Sequence, residues 1–550
     1  MFKVVAAASL LACVLAAQAG AQTAVVRSFA PGTGADKVGI AAGLDTEDDE
    51  INGPQAVYAG DKGDLYLLDQ LNGRVLRFDP DKPRSSPTSL SLPDNVHPSD
   101  MIVKKDTVYA YDGQIHALKP SGAEDAAVRS LSTTRGLAPP DAATVAAFAQ
   151  MGSGAAGGST DPGEMLNGPT RSLGDAKARS KTQTTIDTRG RGTVNVAVEP
   201  GDATSVTLAV APGSAAPTRL KVKVRNQLGS VELLDIDRRG AFYVLAENVP
   251  TTLSQGAQAF VARYSSAGVL DGIYELPLAG TAVVSRRFVA ISPEGDVYFL
   301  RGRKGAVDVL GIGVRTVKNT SLIEGAARTE VAAMSLPTLA GAGVAVGPLS
   351  RQRVLQTAFG FEGVTWRVNA GSYGSDPDTS CAGFDRIRRP GYIEGRLNQD
   401  VKGVPYCWGC MGTLAQVAGR IGQGTLAGNV CTRNNPRADT AGVDCSGFVS
   451  ASWGLSTHFS TMAIPAIAQR LDNPWDLQPG DALNKPGSHV MLFLRFTPDR
   501  RAEVMEASTG GCNGKVCRNV YPLSSLLARG YVPVRYKALM ETATADTAKP

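Results

Sequence analysis

Between residues 56 and 298 one short unit recurs four times: an apolar pair, a turn rich in Asp and Gly, then a strand with a tyrosine at its centre. The copies start at Ala56, Met101, Leu234 and Val289 and end at Tyr66, Tyr109, Tyr243 and Tyr298. Each is followed by a further strand-like run, at residues 73–78, 114–118, 260–264 and 306–310. A single small antiparallel sheet cannot bury both its faces, so units repeating at this spacing must stack on one another, and a ring of four-stranded blades is the closed solution. The sequence therefore predicts an all-β propeller of about six blades over residues 22–320. A pair of β-sandwiches is the arrangement that the period alone leaves open.

The first copy continues Leu67-Leu-Asp-Gln-Leu-Asn-Gly-Arg-Val-Leu-Arg-Phe-Asp79, whose D-x-x-N-x-R-V pattern resembles the NHL-type propeller repeat. A protein or a glycan is the ligand class expected on such a ring. Met151 to Thr160 is rich in Gly, Ser and Ala, so the stretch near 130–190 is expected to be a disordered insert. Residues 322–335 read as one helix and 336–348 as a small-residue linker, giving a linker over 321–350, a second domain over 351–540 and a short tail over 541–550.

The chain opens with Lys3, an apolar run from Val4 to Ala17 and small residues to Ala21, the pattern of a secretory signal over 1–21. Leu10-Leu-Ala-Cys13 resembles a lipoprotein cleavage box but comes very early, so a soluble exported protein, periplasmic or secreted, is expected over a lipid anchor at Cys13. Nothing later approaches the ~18 apolar residues of a membrane span. The net charge of +5 over 550 residues leaves no polybasic footprint for nucleic acid.

Seven further cysteines, Cys381, Cys407, Cys410, Cys431, Cys445, Cys512 and Cys517, all fall in the last third of the chain. In an oxidising compartment that count predicts up to three disulfides and one thiol left over. Cys512 and Cys517 are the plausible short pair, and the other candidates are Cys381, Cys407, Cys410 and Cys431. Disulfides are expected over zinc ligation, and no metal or cofactor is called for.

Cys445 has the setting of a nucleophile. Asp444 is a good N-cap and Gly454 a natural terminator, so Cys445 falls in the first turn of a helix, where the dipole favours a thiolate. Gly447 leaves room for a close approach. A thiolate also needs a base held by a third polar group. Of four histidines, His97 and His116 lie in the propeller region, and His458 reads as a loop or substrate-side residue. His489 begins an apolar strand, and a turn at residues 497–500 would fold that strand onto residues 502–508, bringing Glu506 or, alternatively, Ser508 opposite it.

The order Val404-Pro-Tyr-Cys-Trp-Gly409, Val443-Asp-Cys-Ser-Gly-Phe-Val449, Leu477-Gln-Pro-Gly-Asp481 and His489-Val490 resembles the NlpC-type cell-wall cysteine peptidases. The resemblance implies an α+β papain-like domain over about 385–537, with Cys445 as nucleophile, His489 as base, the Cys445 N–H in the oxyanion hole and Tyr406 beside it. Asp444 and Ser446 flank the nucleophile on the substrate and oxyanion side. Two positions depart from the family: Cys410 stands where a second glycine is usual, and Glu506 where His, Asn or Gln is common. The chain thus reads as a multidomain exported hydrolase acting on amide bonds of peptidoglycan stem peptides. The alternatives are a propeller-based binding or scaffold protein with an inactive hydrolase domain, and a thiol amidase or transacylase on another substrate.

Overall fold

The computed structural model describes residues 23–40, 51–94, 96–121, 126–133, 140–150, 161–167, 183–213, 215–318, 320–325, 348–374, 388–431 and 439–540. Residues 1–22, with the expected signal segment and Cys13, and Cys381 and residues 541–550 lie outside them.

The repeating units form hairpins. The first sheet comprises β2 (Ala56–Ala59), β3 (Leu65–Asp69), β4 (Arg74–Phe78) and β5 (Thr88–Ser91), and follows the N-terminal strand β1 (Ala24–Pro31). The second holds β6 (Asp100–Lys104), β7 (Thr107–Tyr111), β8 (Ile115–Ser121) and β9 (Val128–Thr133). The third holds β10 (Gln183–Thr188), β11 (Gly192–Pro200), β12 (Ser205–Pro212) and β13 (Thr218–Val224). The fourth holds β14 (Gln227–Ile236), β15 (Phe242–Val249), β16 (Gln258–Tyr264) and β17 (Leu270–Glu275). The fifth takes β18 (Val289–Ile291), β19 (Val297–Arg303) and β20 (Ala306–Ile312), and β1 pairs antiparallel with β20 to supply its fourth strand. Consecutive strands within each sheet pair antiparallel, while β5 and β9 pair in parallel at their edges and β1 pairs in parallel with Lys37–Val38.

Turn chemistry fixes the hairpins. In the second sheet Lys105 and Asp106 both take positive φ, 47° and 61°, the pairing a tight hairpin turn requires. In the fifth, Gly295 has φ 97°, and a Cβ there would lie 2.1 Å from the Tyr243 hydroxyl, so only glycine lets the fourth and fifth sheets meet.

The first strands of the sheets pack in sequence around an axis: β18 on β2, β2 on β6, helix α1 (Ala142–Gln150) between β6 and β10, and β10 on β14. The Arg238 N–H donates to the Pro293 carbonyl at 3.2 Å, which closes the ring between β14 and β18. The result is a propeller-like ring of five sheets among the described residues, where the spacing predicts about six. The third sheet lacks the Asp/Gly and tyrosine signature, but its alternating Val194, Val196, Val206, Leu208, Val210, Leu220 and Val222 bury one face. Part of the stretch expected to be disordered is folded: besides α1, helix α2 (Pro162–Asn167) buries Met165 and Leu166 in the core of the C-terminal half. The helix expected over 322–335 is not formed at its start, because Leu322 and Ile323 pair with Lys223 and Val224 of β13; residues 326–335 lie outside the described part.

The C-terminal half packs helices on a six-stranded antiparallel sheet. The strands are β21 (Ala468–Arg470), β22 (Ala482–Lys485), β23 (His489–Phe496), β24 (Ala502–Ser508), β25 (Lys515–Tyr521) and β26 (Val532–Tyr536), in the order β21-β26-β22-β23-β24-β25. Helix α3 (Arg351–Gly363) and helix α5 (Cys445–Ser452), with α4 (Leu414–Gly422) between them in sequence, cover one face, and α5 lies against β23 and β24. All eight residues of α5 are buried; its run of Ser, Gly and Ala lets α3 and the sheet approach from both sides. The Gly480-Asp481 turn locks this packing. The Trp453 indole donates to the Gly480 carbonyl at 2.9 Å, and Arg351 and Arg535 hold the buried Asp481 carboxylate.

The two halves are joined by buried polar contacts. Arg500 donates to the Leu228 carbonyl at 3.0 Å, Arg501 to Glu232 at 3.1 Å, and the Ser524 N–H to Glu247 at 2.6 Å at the start of helix α6 (Leu523–Ala528). Among the described residues no helix is long and apolar enough to cross a membrane.

Candidate functional site

Cys445 is the first residue of α5 and 1% exposed. Asp444 caps the helix as its sequence implies, accepting from the Gly447 N–H at 2.6 Å. The same carboxylate accepts from the Gly409 N–H at 2.8 Å and from the Ser446 hydroxyl at 3.2 Å. The Asp444 N–H donates to the Cys410 carbonyl at 3.1 Å. The loop 407–410 is thereby laid across the helix start, and a Cβ on Gly447 would sit 2.2 Å from the Cys410 carbonyl oxygen. The room that Gly447 provides is filled by this backbone. Tyr406 is buried and bridged to Val443, two residues before Cys445.

Two disulfides are described, Cys407 to Cys410 and Cys512 to Cys517. Cys445 belongs to neither. Cys410 is thus half of a clip that shapes the loop at the helix start. Cys431 is fully buried, and Cys381 is outside the described residues.

His489 opens β23 and is fully buried, and its Nε2 lies 2.6 Å from Glu506 Oε2 on β24, also fully buried. The carboxylate's other oxygen accepts from Asn519 Nδ2 at 2.5 Å and from the Tyr521 hydroxyl at 2.8 Å. Burial pushes the Glu506 carboxyl up. The hydrogen bond and charge of His489, with the Asn519 and Tyr521 donors, outweigh it and hold the group below its usual value. With Nε2 committed to Glu506, Nδ1 is the ring nitrogen on the side away from the carboxylate. Tyr531 stands edge-on to the imidazole, centroids 6.4 Å apart. Of the two candidate orienting residues, Glu506 contacts the His489 ring, and Ser508 accepts from the Gly511 N–H at 3.0 Å in the following turn.

Asn519 and Tyr521 were not legible as site residues. They lie two apart on β25, on the face carrying Cys517, which pairs with Glu506, so the signal appears only once that pairing is known. His458 is nearer the chemistry than a loop position suggests. Its Nε2 lies 2.6 Å from the Ser446 hydroxyl and 3.2 Å from Asp444, because Gly454, with φ 69°, turns the chain back toward the start of α5.

No known family matches the sequence, and no curated protein does. Among solved structures, hydrazine synthase of Kuenenia stuttgartiensis is similar at 12% identity and a TM-score of 0.17 over 45% of this chain and 61% of that one. A streptogramin B lyase is similar at 11% identity and a TM-score of 0.16 over 48% of this chain and 66% of its own. The matched part is less than two thirds of either neighbour, and at such scores neither bears on this chain's fold or chemistry. The strand pairing itself defines a mostly β protein, a propeller-like ring joined to a helix-and-sheet half.

Proposed function

We propose that the protein is an exported cysteine hydrolase that cleaves amide bonds in peptidoglycan stem peptides, and that its C-terminal half is a papain-like domain of the NlpC type. The observation that carries the reading is the buried His489–Glu506 pair, set on strands that pack directly behind the helix whose first residue is Cys445. A buried carboxylate and imidazole are costly to desolvate, and here they sit on the strands against which the helix bearing Cys445 packs.

In the proposed cycle His489 Nδ1 takes the Cys445 proton, giving a thiolate and an imidazolium stabilised by Glu506. The sulfur attacks the peptide carbonyl carbon, and the developing oxyanion is met by the Cys445 N–H at the helix start. Collapse breaks the C–N bond, and the imidazolium gives its proton to the leaving amine. Water, deprotonated by His489, then attacks the thioester carbonyl, releasing the acid and regenerating the thiol. The substrate class rests on the sequence resemblance. Purified cell-wall sacculi digested with wild type and with Cys445→Ala, and compared by mass spectrometry, test it: new peptide termini with wild type alone support the reading, and identical digests overturn it.

A further inference from the structure

The interface between the halves carries a hydrogen-bonded chain that ends at the proposed catalytic histidine. Arg286 lies in the segment just before β18, where the Arg287 N–H donates to the Gln55 carbonyl at 3.1 Å and the Val57 N–H to the Arg287 carbonyl at 2.9 Å. The backbone is extended, so successive side chains point opposite ways. Arg287 reaches Asp100, at 3.0 Å, beside a central cavity of about 290 Å³ that Tyr58, Lys104, Arg189 and Glu232 also line. Arg286 reaches the C-terminal half, where its Nη2 donates to the Gly511 carbonyl at 2.5 Å and to Asn519 Oδ1. Both Arg286 and Asn519 are buried.

We propose that Arg286, contributed by the propeller-like ring, is a positioning residue for the proposed hydrolase site, fixing the Asn519 amide so that Glu506 can only accept and His489 is held with its proton on Nε2. The inference rests on the hydrolase reading. Its logic is donor and acceptor counting. A guanidinium carries five N–H donors and no acceptor, so the Asn519 atom facing it is the oxygen. The Asn519 nitrogen then faces Glu506 Oε1 at 2.5 Å, and the carboxylate receives donors from Asn519, Tyr521 and His489. A Cβ on Gly511 would lie 2.9 Å from the Tyr521 hydroxyl and 3.1 Å from Asn519 Nδ2, so a glycine at this turn leaves the chain its space. The titratable and charged groups around the pair are Tyr521 and Tyr531, with Arg529, whose charge interacts with both tyrosines, and Arg286 behind Asn519. The propeller-like ring is then part of the active site's support, and the helix-and-sheet half is catalytically incomplete alone.

The test uses the full-length protein and two readouts: the pH dependence of Cys445 alkylation by iodoacetamide, followed by mass spectrometry, and kcat and KM on an isolated stem peptide. Wild type should alkylate with a midpoint below the ~8.5 of an ordinary thiol. Arg286→Ala should move that midpoint up by about one unit and lower kcat about tenfold with KM changed less than twofold, and Arg286→Lys should recover part of the loss. Arg500→Ala, which loosens the same interface away from the chain, should leave the profile as in wild type. If wild type itself titrates as an ordinary thiol, the hydrolase reading fails and this inference with it. If wild type has the low midpoint and Arg286→Ala keeps it, or if Arg500→Ala shifts it equally, the positioning role alone is overturned. Should Arg286→Ala not fold, Asn519→Asp decides: it keeps a partner for Arg286 but sets a carboxylate against Glu506, so an unchanged midpoint overturns the proposal.

Discussion

Replacing Glu506 by glutamine changes one atom, yet the surroundings dictate a large consequence. Asn519 presents its nitrogen and Tyr521 its hydroxyl to Oε1, so the new amide must set its oxygen there and its NH2 toward His489 Nε2. Two donors cannot face each other across 2.6 Å, and the imidazole answers by moving its proton to Nδ1. That is the wrong tautomer for the proposed cycle, in which Nδ1 accepts the thiol proton. Restoring the productive tautomer leaves a buried donor unsatisfied, about 1–3 kcal/mol, and forfeits a charge-assisted hydrogen bond, about 1.5–3 kcal/mol. Together these come to about 3–6 kcal/mol, or about 10²- to 10⁴-fold in kcat/KM at ~1.4 kcal/mol per decade. Shape and volume are conserved, so the thermal midpoint should stay within about 3 °C. The assay is stem-peptide hydrolysis read against thermal unfolding followed by circular dichroism. A variant with kcat/KM within threefold of wild type, or one whose loss tracks a matching loss of stability, refutes the tautomer argument.

Gly447→Ala places a methyl 2.2 Å from the Cys410 carbonyl oxygen, so the loop 407–410 or the start of α5 must shift; we expect a loss of about 1–3 kcal/mol in denaturant unfolding and a drop in activity, whereas unchanged stability would mean that this contact is not as close as described. Acid should unfold the protein partly through Glu506. Its carboxyl is held below the ordinary 4.5, so its contribution to stability is complete above that value and lost as the pH falls below it. Glu506→Gln removes that contribution wherever the carboxylate is charged, so it should raise the acid midpoint or leave it in place; a midpoint moved to lower pH, followed by tryptophan fluorescence, speaks against the assignment.

Much of the local chemistry was written in the chain. Asp444 before Cys445 specifies a cap and a helix start whatever the surroundings, since a carboxylate accepting first-turn N–H groups is a contact between neighbours in sequence. The hairpin of β23 and β24 follows from the turn between two apolar runs, and it confines the orienting group to Glu506 or Ser508. The four Asp/Gly hairpins likewise announced first strands of small sheets, because turn residues and period-two alternation act over about ten residues. Only long-range pairing decided the remainder. Strand β1 completes the fifth sheet of the described residues with a partner some 280 residues away, as in the Ser28–Asp308 contact. Glu506 was chosen over Ser508 by Asn519 and Tyr521 on the next strand, and Asn519 is held in turn by Arg286 from the other half of the chain. Such contacts depend on where whole sheets come to rest. Sequence can place a cysteine at the start of its own helix, but the polarity of a buried amide is set by whichever donor the tertiary packing brings against it.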